Sequence, residues 1–270
     1  MDARRTKVIE EARSLHTHVG GLLRRDLERF PGDIERCLAH DNPGAASGCF
    51  RGIGGNALIA GMSWYRLHGD VEQARAAFGS MAICDGQFEI CCDWLDRRKA
   101  GGYDKSKQRD DDPKCWFSTW NLIEPLFALV LANDRSSALS MAERCANPEL
   151  QHGGWLQLIT QILTDTIDPD FVDIFTKEEP GYFTITHYFA PAVCLARGDA
   201  EGLQALVPVM EKSFRARSRT REMAVEWGHG RLGQEMSFDF PGTGLLRIAR
   251  WRGMTVEADS DIHPRIFIEA

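Results

Sequence analysis

Carboxylates are the densest chemistry-bearing residues in this 270-residue chain. Asp165, Asp168, Asp170, Asp173, Glu178 and Glu179 follow one another closely, opposed by Lys177 alone and set beside Phe171, Phe175 and Tyr182. Carboxylates steer a basic partner and aromatic rings anchor it, so this rim is a candidate docking surface, with a solvated acidic loop as the competing reading. A second run, Asp110-Asp111-Asp112, is similar to the aspartate-rich motifs that hold magnesium and diphosphate in all-α isoprenoid enzymes. Those motifs need carboxylates at i and i+4 of a helix so that two converge on one metal. Here Lys114 occupies the distal position and Pro113 disrupts the helix, which leaves an acidic loop or helix start.

Other reactive side chains are scattered. His16 and His18 point in different directions on a helix, and His152, His187 and His229 lack an i+4 His or Glu of metal-site type. His187, at the head of an apolar helix, reads as a buried, hydrogen-bonded histidine. Cysteines stand at Cys37, Cys49, Cys84, Cys91, Cys92, Cys115, Cys145 and Cys194 without any Cys-x-x-Cys pair, and read as free core thiols. Gly52-Ile53-Gly54-Gly55-Asn56-Ala57 loosely fits a dinucleotide fingerprint, but no strand precedes it. No serine has a nucleophile-elbow context and no cysteine a protease signature. Arg215, Arg217, Arg219 and Arg221 would form two i,i+4 stripes of a helix, partly neutralised by Glu211, Glu222 and Glu226. These patterns predict neither a metal nor any other cofactor, and no catalytic residue.

The elements that must position these residues are helical. Ala74, Ala77, Phe78 and Met81, then Phe127, Val130 and Leu131, then Leu203, Leu206, Met210 and Phe214, repeat at helical spacing. Only Phe183–Tyr188 and Met254–Val256 invite a strand, and the first runs straight into an apolar helix. Gly69-Asp70, Asn133-Asp134 and Gly198-Asp199 each close one helix and open another. Gly or Asn suits the left-handed residue after a helix, and Asp caps the next one. The three Asp residues lie 64 and 65 positions apart, and Arg252-Gly253 ends the helix Gly244–Trp251 in the same manner. The expectation is an all-α fold, a compact array of about ten to twelve helices stacked as repeat-like helical hairpins. It forms a single domain over 1–270, with N-terminal helices at 1–50, hairpins at 51–253 and a C-terminal tail at 254–270. Residues 100–113 and 168–181 read as its least regular stretches.

Composition narrows the function classes. With 39 acidic against 32 basic residues the chain carries a formal charge of −7, which argues against a nucleic-acid partner. No apolar run approaches the ~18 residues of a membrane span, and no apolar segment follows the basic N-terminus, so a cytoplasmic location without membrane insertion is expected.

The C-terminal third carries a more specific pattern. His187 opens HYFAPAVCLARGDAEGLQALVPVMEKSFRARSR; then come Gly242-Thr243-Gly244-Leu245-Leu246-Arg247-Ile248-Ala249-Arg250, Arg252-Gly253 and Asp259-Ser260-Asp261-Ile262-His263-Pro264-Arg265-Ile266-Phe267. Over residues 183–268 this resembles the Imm49 family of bacterial polymorphic-toxin immunity proteins. Shared features are a His-led helix, a Gly-Asp hairpin, a small-residue helix closing in Arg-Gly, and a tail of the form S-D-x-x-P. The chain departs from the family's pattern at Ile262-His263, where an aromatic residue commonly follows the serine–aspartate pair. The resemblance implies an all-α protein that binds a cognate secreted or contact-delivered toxin and covers its active site, without chemistry of its own. For the toxin contact, charge density selects Asp168, Asp170, Asp173, Glu178 and Glu179, and secondarily Asp110, Asp111 and Asp112. A helical-repeat interaction scaffold and, behind it, an all-α enzyme are the alternatives.

Overall fold

The computed structural model describes residues 61–62, 64–80, 119–145, 154–177, 186–217 and 238–269. Every regular element among them is a helix. The first, α1, carries residues 61–62 and 64–68. It is followed by α2 (Val71–Gly79), α3 (Thr119–Leu131), α4 (Arg135–Cys145), α5 (Gly154–Thr164) and α6 (Pro169–Lys177). The C-terminal half adds α7 (Thr186–Arg197), α8 (Ala200–Arg217), α9 (Phe240–Trp251) and the short α10 (Arg265–Glu269).

The hairpin closures have the chemistry that the sequence assigns to them. Gly69, Asn133, Gly198 and Gly253 all take positive φ, from 64° at Asn133 to 77° at Gly253. The left-handed residue lets the chain turn back on the helix it has just left: the Asp134 N–H reaches the Leu129 carbonyl, the Asp199 N–H that of Cys194, and the Met254 N–H that of Ala249. Each following Asp then satisfies an otherwise unpaired amide at the next helix start. Asp70 accepts from the Gln73 N–H at 3.0 Å, Asp134 from Ser137 at 3.0 Å and Asp199 from Gly202 at 2.8 Å.

Helix α9 is the hub. Its residues Phe240 to Ala249 are all buried, and it packs on α3, α7 and α10. Close approach to α3 depends on Gly244, where a methyl group would fall on the Phe127 ring, 3.0 Å from its Cε1. Helix α3 adds an unbroken buried run from Leu126 to Leu131. The hairpins α3/α4 and α7/α8 pack within themselves, α5 packs on α4 and α7, and α6 packs on α7. The tail closes the core at the other end. Phe267 stacks on Phe238 at 5.2 Å between ring centres and meets Tyr65 and Phe78 edge-on.

Two local readings change. Helix α9 begins at Phe240, four residues before the Gly244 start expected from its apolar periodicity. Asp239 caps it and Pro241 occupies its first turn, where a missing N–H costs nothing. Residues 169–177, expected to be irregular, form α6. Asp168 caps that helix by accepting from the Asp170 and Phe171 N–H groups, and Pro169 opens it. The Met254–Val256 stretch pairs with no strand among the described residues; Met254 and Val256 are simply buried on the helical body.

Candidate functional site

Helix α6 carries Asp170 and Asp173 of the sequence-predicted acidic residues, and Asp168 precedes it as its cap. Its inner face holds Val172, buried, with Phe171 and Phe175 partly buried. Phe175 meets Phe189 of α7 edge-on at 4.7 Å, and Phe189 in turn meets Trp155 of α5 at 5.6 Å. Gly154 admits this aromatic cluster, because a methyl there would sit 2.9 Å from Phe175. With that side spent on packing, the i, i+3, i+4 set Asp170, Asp173 and Ile174 faces outward, and Ile174 is 55% exposed.

The carboxylates of this stretch have different tasks. Asp168 is occupied as the helix cap. Asp173 pairs with Arg197 of α7 at 2.8 Å, and Asp165 pairs with Arg252 at 2.9 Å. Both bridges are solvent-exposed, so each contributes between about 0 and 1 kcal/mol. Asp170 has no ion-pair partner among the described residues. Among the described residues of this segment, Asp165 and Asp173 are thus neutralised by arginines, and Asp170 remains unpaired beside the exposed Ile174. Glu178, Glu179, Asp110, Asp111 and Asp112 lie outside the described residues.

A second polar cluster, which the sequence reading passed over, sits in the interior. Asp239 and His263 are both fully buried, 0% exposed. The Asp239 carboxylate accepts from the Tyr188 hydroxyl at 2.6 Å and from the Gly242 N–H at 3.2 Å, both on Oδ1. Its Oδ2 faces His263 Nε2 at 3.8 Å. Thr243 Oγ1 donates to the Asp239 carbonyl at 2.6 Å and lies 3.3 Å from His263 Nδ1. Burial holds the His263 imidazole below the ordinary histidine range, while Asp239, Glu211 and Asp261 pull less strongly the other way.

Thr243, His263 and Asp239 thus stand in the order hydroxyl, imidazole, carboxylate, as in a nucleophilic triad. The arrangement is a packed joint instead. The threonine proton is committed to a carbonyl, and all three side chains are fully buried, so a substrate has no path to the hydroxyl. The cluster ties the start of α9 to the tail, with the Asp239 N–H bonded to the Ile262 carbonyl at 3.0 Å. Ser260 shapes the tail for this contact by accepting from the Ile262 and His263 N–H groups. His187 is half-buried, whereas His263 is the fully buried histidine among the described residues. The readable signal was Asp239 before Phe240-Pro241-Gly242, an aspartate cap followed by a first-turn proline.

A third cluster braces α9 near its end. The Arg247 guanidinium donates to the Ile268 carbonyl at 2.8 Å and to the Asn133 side chain, and it lies over the Trp251 ring at 5.6 Å. Cys194 is a free, half-buried thiol on α7 packed against the edge of the core, and burial raises its pKa; the side chains of the other seven cysteines lie outside the described residues. Among the described residues no group of His, Cys, Asp and Glu has the geometry of a metal site, and no helix is long and apolar enough to cross a membrane. No family model matches the sequence, and neither the curated proteins nor the solved structures yield a match.

Proposed function

We propose that this chain is an immunity protein, which binds a cognate bacterial toxin and neutralises it by covering its active site, acting in the cytoplasm of the producing cell. One observation carries the reading to particular residues: the outer face of α6 presents Asp170, free of an ion pair among the described residues, one turn from the exposed side chain of Ile174. An apolar anchor beside an unneutralised carboxylate suits a cationic patch on a partner. The charge speeds encounter, and the buried aliphatic group slows departure. The resemblance of the C-terminal sequence to immunity proteins supports the same reading. Its Gly-Asp, Arg-Gly and S-D-x-x-P elements all act as closures of the helical body, as a rigid binding scaffold requires. A specific complex buries ~800 Å² on each partner, so α6 would be the centre of a larger footprint.

The test is co-expression with toxin genes adjacent to this one. Rescue of growth by the wild-type protein, with slower association for Asp170→Lys and faster dissociation for Ile174→Glu, is the expected result. Failure to rescue from every adjacent toxin would remove the immunity reading. Binding without rescue would favour an interaction scaffold.

A further inference from the structure

Arg247 of α9 is 6% exposed, and its guanidinium pairs with no carboxylate among the described residues. Its acceptors are neutral oxygens, the Ile268 carbonyl and the Asn133 side-chain oxygen, and its Nε–H has none. A covered charge without a counter-charge is costly, because neutral dipoles repay only part of the lost hydration. Arg247 also has a like-charged neighbour. Arg75 of α2 donates to the Ile266 carbonyl, two residues from the carbonyl that Arg247 holds, and its own carboxylate, Glu72, stands 3.8 Å off in open solvent. Burial and, behind it, the Arg75 guanidinium hold the Arg247 pKa below the ordinary arginine value.

The positive charge continues outward. Arg135, the first residue of α4, is exposed and forms no ion pair among the described residues. Its guanidinium carbon lies 5.9 Å from the centre of the Trp251 ring, and that of Arg247 lies 5.6 Å from the same centre, so one half-buried indole joins the two cations. An arginine in the first turn of a helix opposes the helix dipole, where an acidic residue would be the stabilising choice. The adjacent carboxylate, Asp134, is engaged: its two oxygens take the N–H and the hydroxyl of Ser137. Asn133 is exposed and links the two levels, since its side-chain oxygen accepts from the covered Arg247 two positions before Arg135. Its amide holds a neutral oxygen where a carboxylate or phosphate oxygen would bring the missing charge.

We propose that the turn between α3 and α4 is an oxyanion site, in which a carboxylate or phosphate group lies against Arg135 and takes the place of the Asn133 amide on Arg247, beside Trp251. Two guanidinium groups offer forked N–H donors that match the paired oxygens of such a group. The exposed Arg135 draws the anion in, and the covered Arg247 meets it where water competes least.

The test uses the full-length protein with sodium phosphate and sodium acetate as probes, each compared with sodium chloride at equal ionic strength to remove general screening. NMR of the arginine Nε–H groups and of the Trp251 indole follows binding. Expected is a saturable shift at Arg135, Arg247 and Trp251. Saturation with acetate assigns the site to carboxylates, such as an acidic side chain of a protein; saturation with phosphate alone assigns it to phosphate groups. Arg135→Gln should weaken the binding about tenfold or more, the loss of one charge-assisted contact, whereas Lys212→Gln, at an exposed position of α8, should leave it unchanged. Asn133→Asp supplies the carboxylate from the chain itself, at a left-handed position that aspartate tolerates, and should abolish saturation. Shifts that saturate with neither probe overturn the site on wild-type protein alone. Undiminished binding in a folded Arg135→Gln or Asn133→Asp protein overturns it as well.

Discussion

Gly244→Ala should destabilise the protein, although alanine is the better helix former. Replacing glycine inside a helix gains about 1 kcal/mol of propensity. Against this, the new methyl group falls on the Phe127 ring edge, 3.0 Å from Cε1 and 3.2 Å from Cγ, inside the ~3.5–4.0 Å of an unstrained carbon contact. Phe127 is fully buried within the continuous buried run of α3, so the ring has nowhere to retreat. Overpacking a tight core costs about 1–3 kcal/mol, and a rigid aromatic neighbour puts this site at the upper end. The net expectation is a loss of about 2 kcal/mol, or about 4–8 °C in Tm for a chain of this size. Urea and thermal unfolding followed by circular dichroism would measure it. Two comparisons isolate the cause. At Gly79 the nearest group to a new methyl is Ala132 at an ordinary 3.8 Å, so Gly79→Ala should be neutral or stabilising by up to about 1 kcal/mol. Combining Gly244→Ala with Phe127→Leu should cost about 1–2 kcal/mol less than the sum of the single changes. A Gly244→Ala protein more stable than wild type, or strict additivity with Phe127→Leu, would refute the close-packing account.

Other substitutions probe the closures and the brace. Asp199→Ala removes the acceptor for the Gly202 N–H and should cost about 1 kcal/mol in urea unfolding, whereas Asp199→Ser should recover most of it. Gly253→Ala meets no neighbouring atom, so its cost of about 1–2 kcal/mol should come from the left-handed backbone alone, and asparagine should be tolerated better. Arg247→Met should cost about 2–3 kcal/mol, because the Ile268 carbonyl and the Asn133 side chain both lose their donor; a loss below 0.5 kcal/mol, read against the range of about 1–3 for one orphaned group, would mean water replaces the guanidinium.

What the sequence disclosed, and what it hid, follows from the range of the interactions involved. Gly69-Asp70, Asn133-Asp134 and Gly198-Asp199 were legible because a left-handed turn and an aspartate cap are settled by residues within one turn of each other. Asp168-Pro169 belongs to the same grammar, a cap followed by a first-turn proline, but the charge density and the Asp-Pro punctuation around it predict an irregular stretch where α6 forms. The Asp239–His263 joint was hidden for a different reason. Its partners come from positions 188, 239, 243 and 263, and spacing along the chain carries no trace of that convergence. Charge counting failed at Asp173 and Asp165 for the same reason: their arginines lie 24 and 87 residues away.

That difference in range separates the two regions in which this protein's behaviour can be changed. Helix α6 packs on α7 and exposes a full face, so a substitution at Asp170 or Ile174 alters what a partner meets while leaving the core untouched. Surface changes of this kind stay within about 0.5 kcal/mol of wild-type stability. The Asp239–His263 joint is the reverse case. It meets no partner, but it fixes the tail that carries Phe267 into the ring cluster of Tyr65, Phe78 and Phe238. Binding and tail docking should therefore respond to different variants. An Asp170→Lys protein that lost affinity through unfolding would show weakened protection at 258–269 as well, whereas one that lost it at the interface would keep that protection intact. Measuring both quantities on the same protein distinguishes a damaged scaffold from a damaged contact.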